Sequence, residues 1–333
     1  MNIHYFASEK WEEEYVKGKL PSDAITFHEG SLSAFPDLKD ENAEALCVFI
    51  DSTIGETELS RFPAVKLIAT RSTGFDHIDM AAAKARNITV VTVPFYGENT
   101  VAEFAFALLL SLSRRIPEAE AHVKAGGFSP TGLRGFDLAG KTLGVIGCGH
   151  IGMHVIRMAN GFGMRIIGFE THPDEERARA NNFSFVSLDE LLAQSDIITL
   201  HVPYSPHTHH LINKENIGTI KKGAYLINTS RGAVVETDAL VEALQNGTLA
   251  GAGLDVLEEE GDLADEMSLL ASAHPNEAEL RVTLENHYLI EHPRVIVTPH
   301  IAFNTAEAVT RILDTTIENI QHFTEGSPVN TVS

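Results

Sequence analysis

With 333 residues, of which 44% are hydrophobic and 21% charged, the chain is too long for one ordinary core and predicts two domains of roughly 150 residues each. A formal net charge of −21 leaves no basic stripe to displace counterions from nucleic acid, and it opposes docking on an anionic membrane surface. Two cysteines, Cys47 and Cys148, and no basic-then-apolar leader at the N-terminus predict a cytoplasmic protein without disulfides.

Short strands are predicted at residues 2–7, 45–50, 66–70 and 89–93, with amphipathic stretches between them. That rhythm predicts a small parallel α/β domain over residues 1–100. Pro94 stops the fourth strand, and Asn99 or Thr100 is placed to cap a long apolar helix over residues 101–113. Its most apolar run, 104–112, is nine residues long, where a membrane span needs about 20, so it reads as a buried helix. After a glycine-rich arm at 125–135, strands are predicted at 142–146, 165–169, 197–201, 224–229, 251–256 and 295–298, with helices filling the intervals. This is the pattern of a doubly wound parallel sheet. From Thr305 the chain reads as one more helix and a tail, without a strand of its own, packing back onto the first domain. The expected division is 1–100 with 300–333 against 101–299, with the active site in the cleft between the domains. One segment stands apart: residues 258–291 hold ten acidic residues and a single arginine, Arg281, and read as an irregular, solvated excursion.

The chemistry starts at Leu143-Gly-Val-Ile-Gly147-Cys-Gly149-His-Ile-Gly152, an apolar strand running into G-x-G-x-x-G, followed by a strand that ends in Glu170. Gly147 permits the tight turn, Gly149 lets backbone approach a pyrophosphate, and Gly152 lets helix pack close to strand. The helix N-terminus adds free N–H groups and the positive end of its dipole. Glu170 stands where a carboxylate accepts both ribose hydroxyls. Strand, glycines, helix, strand and acid in register predict a dinucleotide site. Three later strand ends carry reactive side chains: Arg231 in Asn228-Thr-Ser-Arg231-Gly232, Glu260 in Asp255-Val-Leu-Glu258-Glu-Glu260, and His300 in Pro299-His-Ile-Ala302. An arginine there suits a bidentate clamp on a carboxylate. Cation, acid and histidine at successive strand ends, downstream of a dinucleotide loop, form a specific combination. No metal site is expected.

Further motifs extend this pattern over nearly the whole chain: Arg71-Ser-Thr-Gly-Phe-Asp-His-Ile-Asp79, Val93-Pro-Phe-Tyr96, Val101-Ala-Glu103, and His201-Val-Pro203 with Thr208. In them the chain resembles the D-isomer-specific 2-hydroxyacid dehydrogenases, and most of all the NAD-dependent D-lactate dehydrogenases. The resemblance implies an α/β fold of two Rossmann-like or flavodoxin-like domains, the NAD domain inserted into a smaller, discontinuous substrate domain. It implies that Arg231, Glu260 and His300 are catalytic. Cofactor contacts are implied for His150 and Ile151 beside Gly147, Gly149 and Gly152, for Glu170 at the ribose, and for Val202, Pro203 and Thr208 on the adenine side. Thr229, Ser230, Arg231 and Asp255 fall near the nicotinamide, and Thr73, Gly74, Tyr96 and Arg231 form the substrate wall. The implied cofactor is NAD and the implied partner a small 2-keto or 2-hydroxy acid.

Three departures stand out. The family more often has aspartate where Glu170 stands, Phe303 is followed by Asn304 where D-lactate enzymes often carry aromatics, and the stretch from Glu260 to His300 is long and acidic. The last two bear on which keto acid is used, not on the reaction class. Rival expectations are a glyoxylate, hydroxypyruvate or branched-chain 2-keto-acid reductase, and a corepressor-like dinucleotide sensor. In the implied chemistry His300 is general acid in reduction and base in oxidation, Glu260 orients its ring, and Arg231 holds the carboxylate. Glu170, with no lysine or arginine in Thr171-His172-Pro173, predicts NAD(H) over NADP(H). The helix at 101–113, apolar nearly all round, predicts cover by a second copy: a homodimer of about 73 kDa, twice the 36.3 kDa chain.

Overall fold

The computed structural model describes residues 1–260 and 277–332. The chain divides into two compact units, Met1–Gly97 with Asn304–Ser333, and Glu98–Phe303.

The first unit alternates strand and helix: β1 (Asn2–Tyr5), α1 (Lys10–Lys19), β2 (Ala24–Phe27), β3 (Ala45–Val48), α2 (Glu56–Ser60), β4 (Leu67–Thr70), α3 (Met80–Ala85) and β5 (Thr89–Val91). The five strands are parallel in the order β5-β4-β3-β1-β2. Every residue of β3 and β4 is buried, as in a parallel sheet covered on both faces. The Asp79 carboxylate accepts the Ala81 and Ala82 N–H groups and so starts α3. The sequence pattern missed β2, a half-exposed edge strand.

The second unit begins with α4 (Glu98–Arg114) and α5 (Ile116–Lys124). Because α4 starts at Glu98, Asn99 and Thr100 lie inside it rather than capping it. There follow β6 (Thr142–Ile146), α6 (His150–Gly161), β7 (Arg165–Phe169), α7 (Glu175–Ala180), β8 (Ser184–Phe185), α8 (Leu188–Gln194), β9 (Ile197–Leu200), β10 (Ala224–Asn228), α9 (Thr237–Gln245), β11 (Leu249–Leu254), α10 (Glu277–Glu291) and β12 (Val295–Val297). All seven strands are parallel, in the order β12-β11-β10-β9-β6-β7-β8. The direction of winding reverses between β6 and β9, which makes their C-terminal ends the switch point where doubly wound sheets bind ligands.

Three expectations need correction here. The β9–β10 interval has no α-helix; a single 3-10 turn, Ile217–Thr219, serves instead. The acidic segment is not irregular throughout, because residues 277–291 form α10, with Asn286 and Leu289 buried; residues 261–276 lie outside the described residues. The apolar helix α4 is covered within its own unit. It packs on α6 and β11, burying Ala102, Ala105, Phe106, Leu108 and Leu109. The glycine-rich arm crosses its far end, where Arg115 Nη1 donates to Gly132 O at 2.7 Å and Phe136 N to Ser113 O at 2.9 Å. Exposed apolar side chains lie instead on α5 and the arm, at Ile116, Val123 and Phe128.

The chain then returns to the first unit as α11 (Ala306–Thr324) and β13 (Thr331–Val332). Leu313, Ile317 and Ile320 of α11 pack with Ile3, Leu67 and Val91 of the sheet. The tail was expected to lack a strand, but β13 pairs antiparallel with β5. Two residues carry no legible alternation, and pairing alone makes them a strand. Among the described residues no helix is long and apolar enough to cross a membrane.

Candidate active site

At the switch point β6 runs into Gly147, whose φ of 90° lies in the left-handed region. A Cβ there would come within 2.6 Å of His201 O, and one on Gly152 would collide with the Gly147 carbonyl oxygen. Gly149 differs: a Cβ would project into open space, directly ahead of α6. As N-cap it contributes no side-chain hydrogen bond, so the first-turn N–H groups of α6 remain available to an anion. Beside this cradle, Glu170 Oε2 accepts the Cys148 N–H at 3.1 Å and Oε1 accepts the Thr171 N–H at 3.1 Å. The exposed His150 ring holds Nδ1 3.1 Å from Glu98 Oε1, while Ile151 packs partly buried against the core. The hydroxyl of Thr208 donates to Pro203 O at 2.6 Å and accepts from Ser205 N at 2.8 Å, closing the turn after Val202 and Pro203. At the end of β10 the Thr229 hydroxyl is buried without a hydrogen-bond partner among the described residues. An open glycine cradle on a helix N-terminus, a tethered carboxylate and an orphaned hydroxyl fit a dinucleotide.

The next strand ends carry the other candidate residues. Asn228, 1% exposed, closes the turn after β10: its Oδ1 accepts Ser230 N at 3.0 Å and Ser230 Oγ at 2.8 Å, and its Nδ2 donates to Arg231 O at 2.9 Å. The Arg231 side chain, partly buried, donates from Nη1 to Ser230 O at 2.9 Å. After β12, His300 takes up a positive φ of 53°, a conformation unusual for a residue with a side chain. Its N–H donates to Asp255 O at 2.8 Å.

Asp255 holds that loop. It is 1% exposed; Oδ1 accepts Thr298 Oγ1 at 2.6 Å and Ile301 N at 3.0 Å, and Oδ2 accepts Ala302 N at 2.7 Å. Burial pushes its carboxyl above the usual range, although those donors pull the other way. The loop thereby presents His300 Nδ1 to Glu260 Oε1 at 2.6 Å, while Glu260 Oε2 accepts Leu257 N at 3.3 Å. This is the pairing expected of a ring oriented by a carboxylate.

Thr73, Gly74 and Tyr96 belong to the other unit. Thr73 Oγ1 donates to Val93 O at 2.8 Å, Gly74 O accepts Ser72 Oγ at 2.7 Å, and Tyr96 O accepts Arg311 Nε at 2.7 Å. Sequence reasoning assigned no role to Asn228, Thr298 or Glu98, whose side chains support the loops of Arg231, His300 and His150. For Asn228 a signal existed: an asparagine at a strand end readily starts a turn.

A family model described as "D-isomer specific 2-hydroxyacid dehydrogenase, NAD binding domain" matches residues 106–302. A "2-hydroxyacid dehydrogenase homolog" of Zymomonas mobilis is 41% identical over 327 residues, covering 96% of each chain. An "aromatic 2-oxoacid reductase" of Clostridium sporogenes is 41% identical over 260 residues, 78% of this chain and 76% of that one. Among solved structures, the D-lactate dehydrogenase of Aquifex aeolicus complexed with NAD and lactic acid superposes with a TM-score of 0.87 at 36% identity, covering 100% of both chains.

Proposed function

The chain belongs to the D-isomer specific 2-hydroxyacid dehydrogenase family, as an oxidoreductase with NAD as cofactor, and on that premise we propose that it is a D-lactate dehydrogenase reducing pyruvate with NADH. The observation that carries this reading is the His300–Glu260 pair at a strand end of the dinucleotide-binding sheet. Gly147, Gly149, His150, Ile151 and Gly152 hold the pyrophosphate, Glu170 the ribose, and Val202, Pro203 and Thr208 the adenine side. Thr229 and Ser230 line the nicotinamide end, and Asp255 acts there through the loop it holds. The bound cofactor supplies the hydride. Arg231 grips the substrate carboxylate in a bidentate fork and polarises the adjacent carbonyl. His300 donates the proton that neutralises the developing alkoxide, and Glu260 stabilises the imidazolium before that transfer. In lactate oxidation the same ring is the base.

Glu170 places a negative charge where a 2′-phosphate would sit, so NADH is preferred over NADPH by at least about tenfold in kcat/KM. The exposed Ile116, Val123 and Phe128 are the apolar surface through which two copies form a cytoplasmic homodimer. Sedimentation equilibrium at micromolar concentration then gives about 73 kDa, twice 36.3 kDa; a clean monomer ends that part of the reading.

The decisive experiment is initial-rate kinetics with NADH and NADPH against pyruvate, glyoxylate, hydroxypyruvate, and branched-chain and aromatic 2-keto acids, with product chirality determined. The expected outcome is the highest kcat/KM for pyruvate and a D product. A preference for a bulky keto acid replaces the substrate, and an L product or no turnover overturns the reading.

A further inference from the structure

We infer that Glu258, which has no part in the chemistry above, is a positioning residue: its carboxylate clamps the turn that carries Glu260 against the segment that carries Arg231. The inference rests on the proposed roles of Glu260, His300 and Arg231.

Glu258 lies two residues before Glu260 on the same turn but points the other way, into the protein, with its side chain 11% exposed. Its Oε1 sits 2.6 Å from His210 Nε2. Its Oε2 accepts the Thr237 hydroxyl at 2.7 Å and the Thr237 N–H at 3.2 Å. Thr237 is the first residue of α9, whose own N-cap, Glu236, makes no side-chain capping bond. The carboxylate therefore satisfies a helix N-terminus from outside the helix, where a negative charge is favoured. The backbone of Glu258 is held as well, because its carbonyl accepts Asn286 Nδ2 of α10 at 2.7 Å, and Asn286 is fully buried. Burial alone would raise the Glu258 carboxyl, yet the bonds from His210 and Thr237 bring it below the usual range.

The other side of the clamp is Gly232. A Cβ there would collide with the backbone of Leu257 and Glu258. The residue directly after Arg231 thus touches the turn with nothing in between. His210 of the turn after β9, Thr237 of α9 and Asn286 of α10 hold Glu258 on this contact from three separate segments. Glu259 completes the reversal at a φ of 53°, and Glu260 emerges towards His300. The relative placement of Arg231 and Glu260 accordingly depends on a carboxylate that faces away from both.

The test compares Glu258→Ala and Glu258→Gln with His300→Gln in the full chain. It reads kcat, KM, the pH profile of kcat in the reduction direction, NADH affinity by fluorescence, and thermal unfolding. Glu258→Ala should lower kcat about tenfold or more while NADH affinity stays near wild type. With Glu260 no longer held on the ring, the imidazolium loses its counter-charge, so the alkaline limb of kcat should move to lower pH. Among the described residues of its own unit, Glu260 and the buried Asp255 bear on His300, and only the first is released. Glu258→Gln, which keeps acceptors for Thr237, should recover most of kcat. A folded Glu258→Ala variant with wild-type kcat and pH profile overturns the clamp, as does a loss of kcat that only tracks lost NADH binding with the limb unmoved. If Glu258→Ala does not fold, His210→Gln carries the test: the same limb shift at smaller amplitude supports the clamp and an unmoved limb overturns it. Wild-type turnover in His300→Gln overturns the proposed proton relay instead, and so separates the two failures.

Discussion

The strand ends after β9 and β12 each deliver a histidine to the same edge of one parallel sheet, and the two rings are handled in opposite ways. His201 holds Nε2 2.8 Å from Thr199 Oγ1, while its Nδ1 is sealed from solvent with no partner among the described residues. Burial pushes that ring down to about 3. His300 keeps its side chain 22% exposed and has a carboxylate on Nδ1. A ring that refuses a proton is a piece of wall; a ring with a counter-charge can carry one. Residue type at a strand end therefore says little about chemistry until burial and counter-charge are known.

Three measurements break or sharpen this contrast. The largest effect belongs to His300→Gln, which removes the proposed proton carrier but no proposed cofactor contact. It should lower kcat at least about 100-fold with NADH affinity near wild type. If turnover survives, His300 is no more a catalyst than His201. Next is Arg231→Lys, since an ammonium cannot reproduce the planar fork. The KM for the keto acid should rise roughly tenfold or more, and an unchanged value removes the clamp. The smallest effect is in stability and concerns His201. Its folded pKa is depressed, so the unfolded chain binds a proton that the native ring refuses. The stability linked to this ring is complete above the ordinary imidazole range and is lost as pH falls from there towards about 3. Just below that range the loss approaches about 1.4 kcal/mol per pH unit from this group. Denaturant titrations at stepped pH should show a shallower acid slope in His201→Asn than in wild type; equal slopes would mean the ring is accessible after all.

What could be read in the amino-acid order was whatever repeats locally. The strands of the second sheet were legible because buried parallel strands are continuous apolar runs, and β6 and β7 fall at the residues expected. The edge strands β2, β8 and β13 were not, being short and half exposed. In the candidate site, the positions of Arg231, Glu260 and His300 beyond strand ends were legible from the apolar runs that precede them. Their supports were not, because the supporting bonds join distant segments: Thr298 reaches Asp255 across 43 residues and His210 reaches Glu258 across 48. No local pattern signals such pairs. The apolar run of α4 misled for the related reason that its cover, α6 and β11, arrives later in the chain.

Cys47 on β3 and Cys148 in the phosphate loop give each unit one thiol, both fully buried and free, and burial pushes each up to about 12. Alkylating reagents attack the thiolate, of which such a group offers roughly one part in ten thousand at pH 8. Labelling has to wait until the surrounding structure opens. Reagent uptake at Cys47 then clocks the opening of the first unit and uptake at Cys148 that of the second, so the chain carries two built-in stopwatches for local unfolding, one in each half.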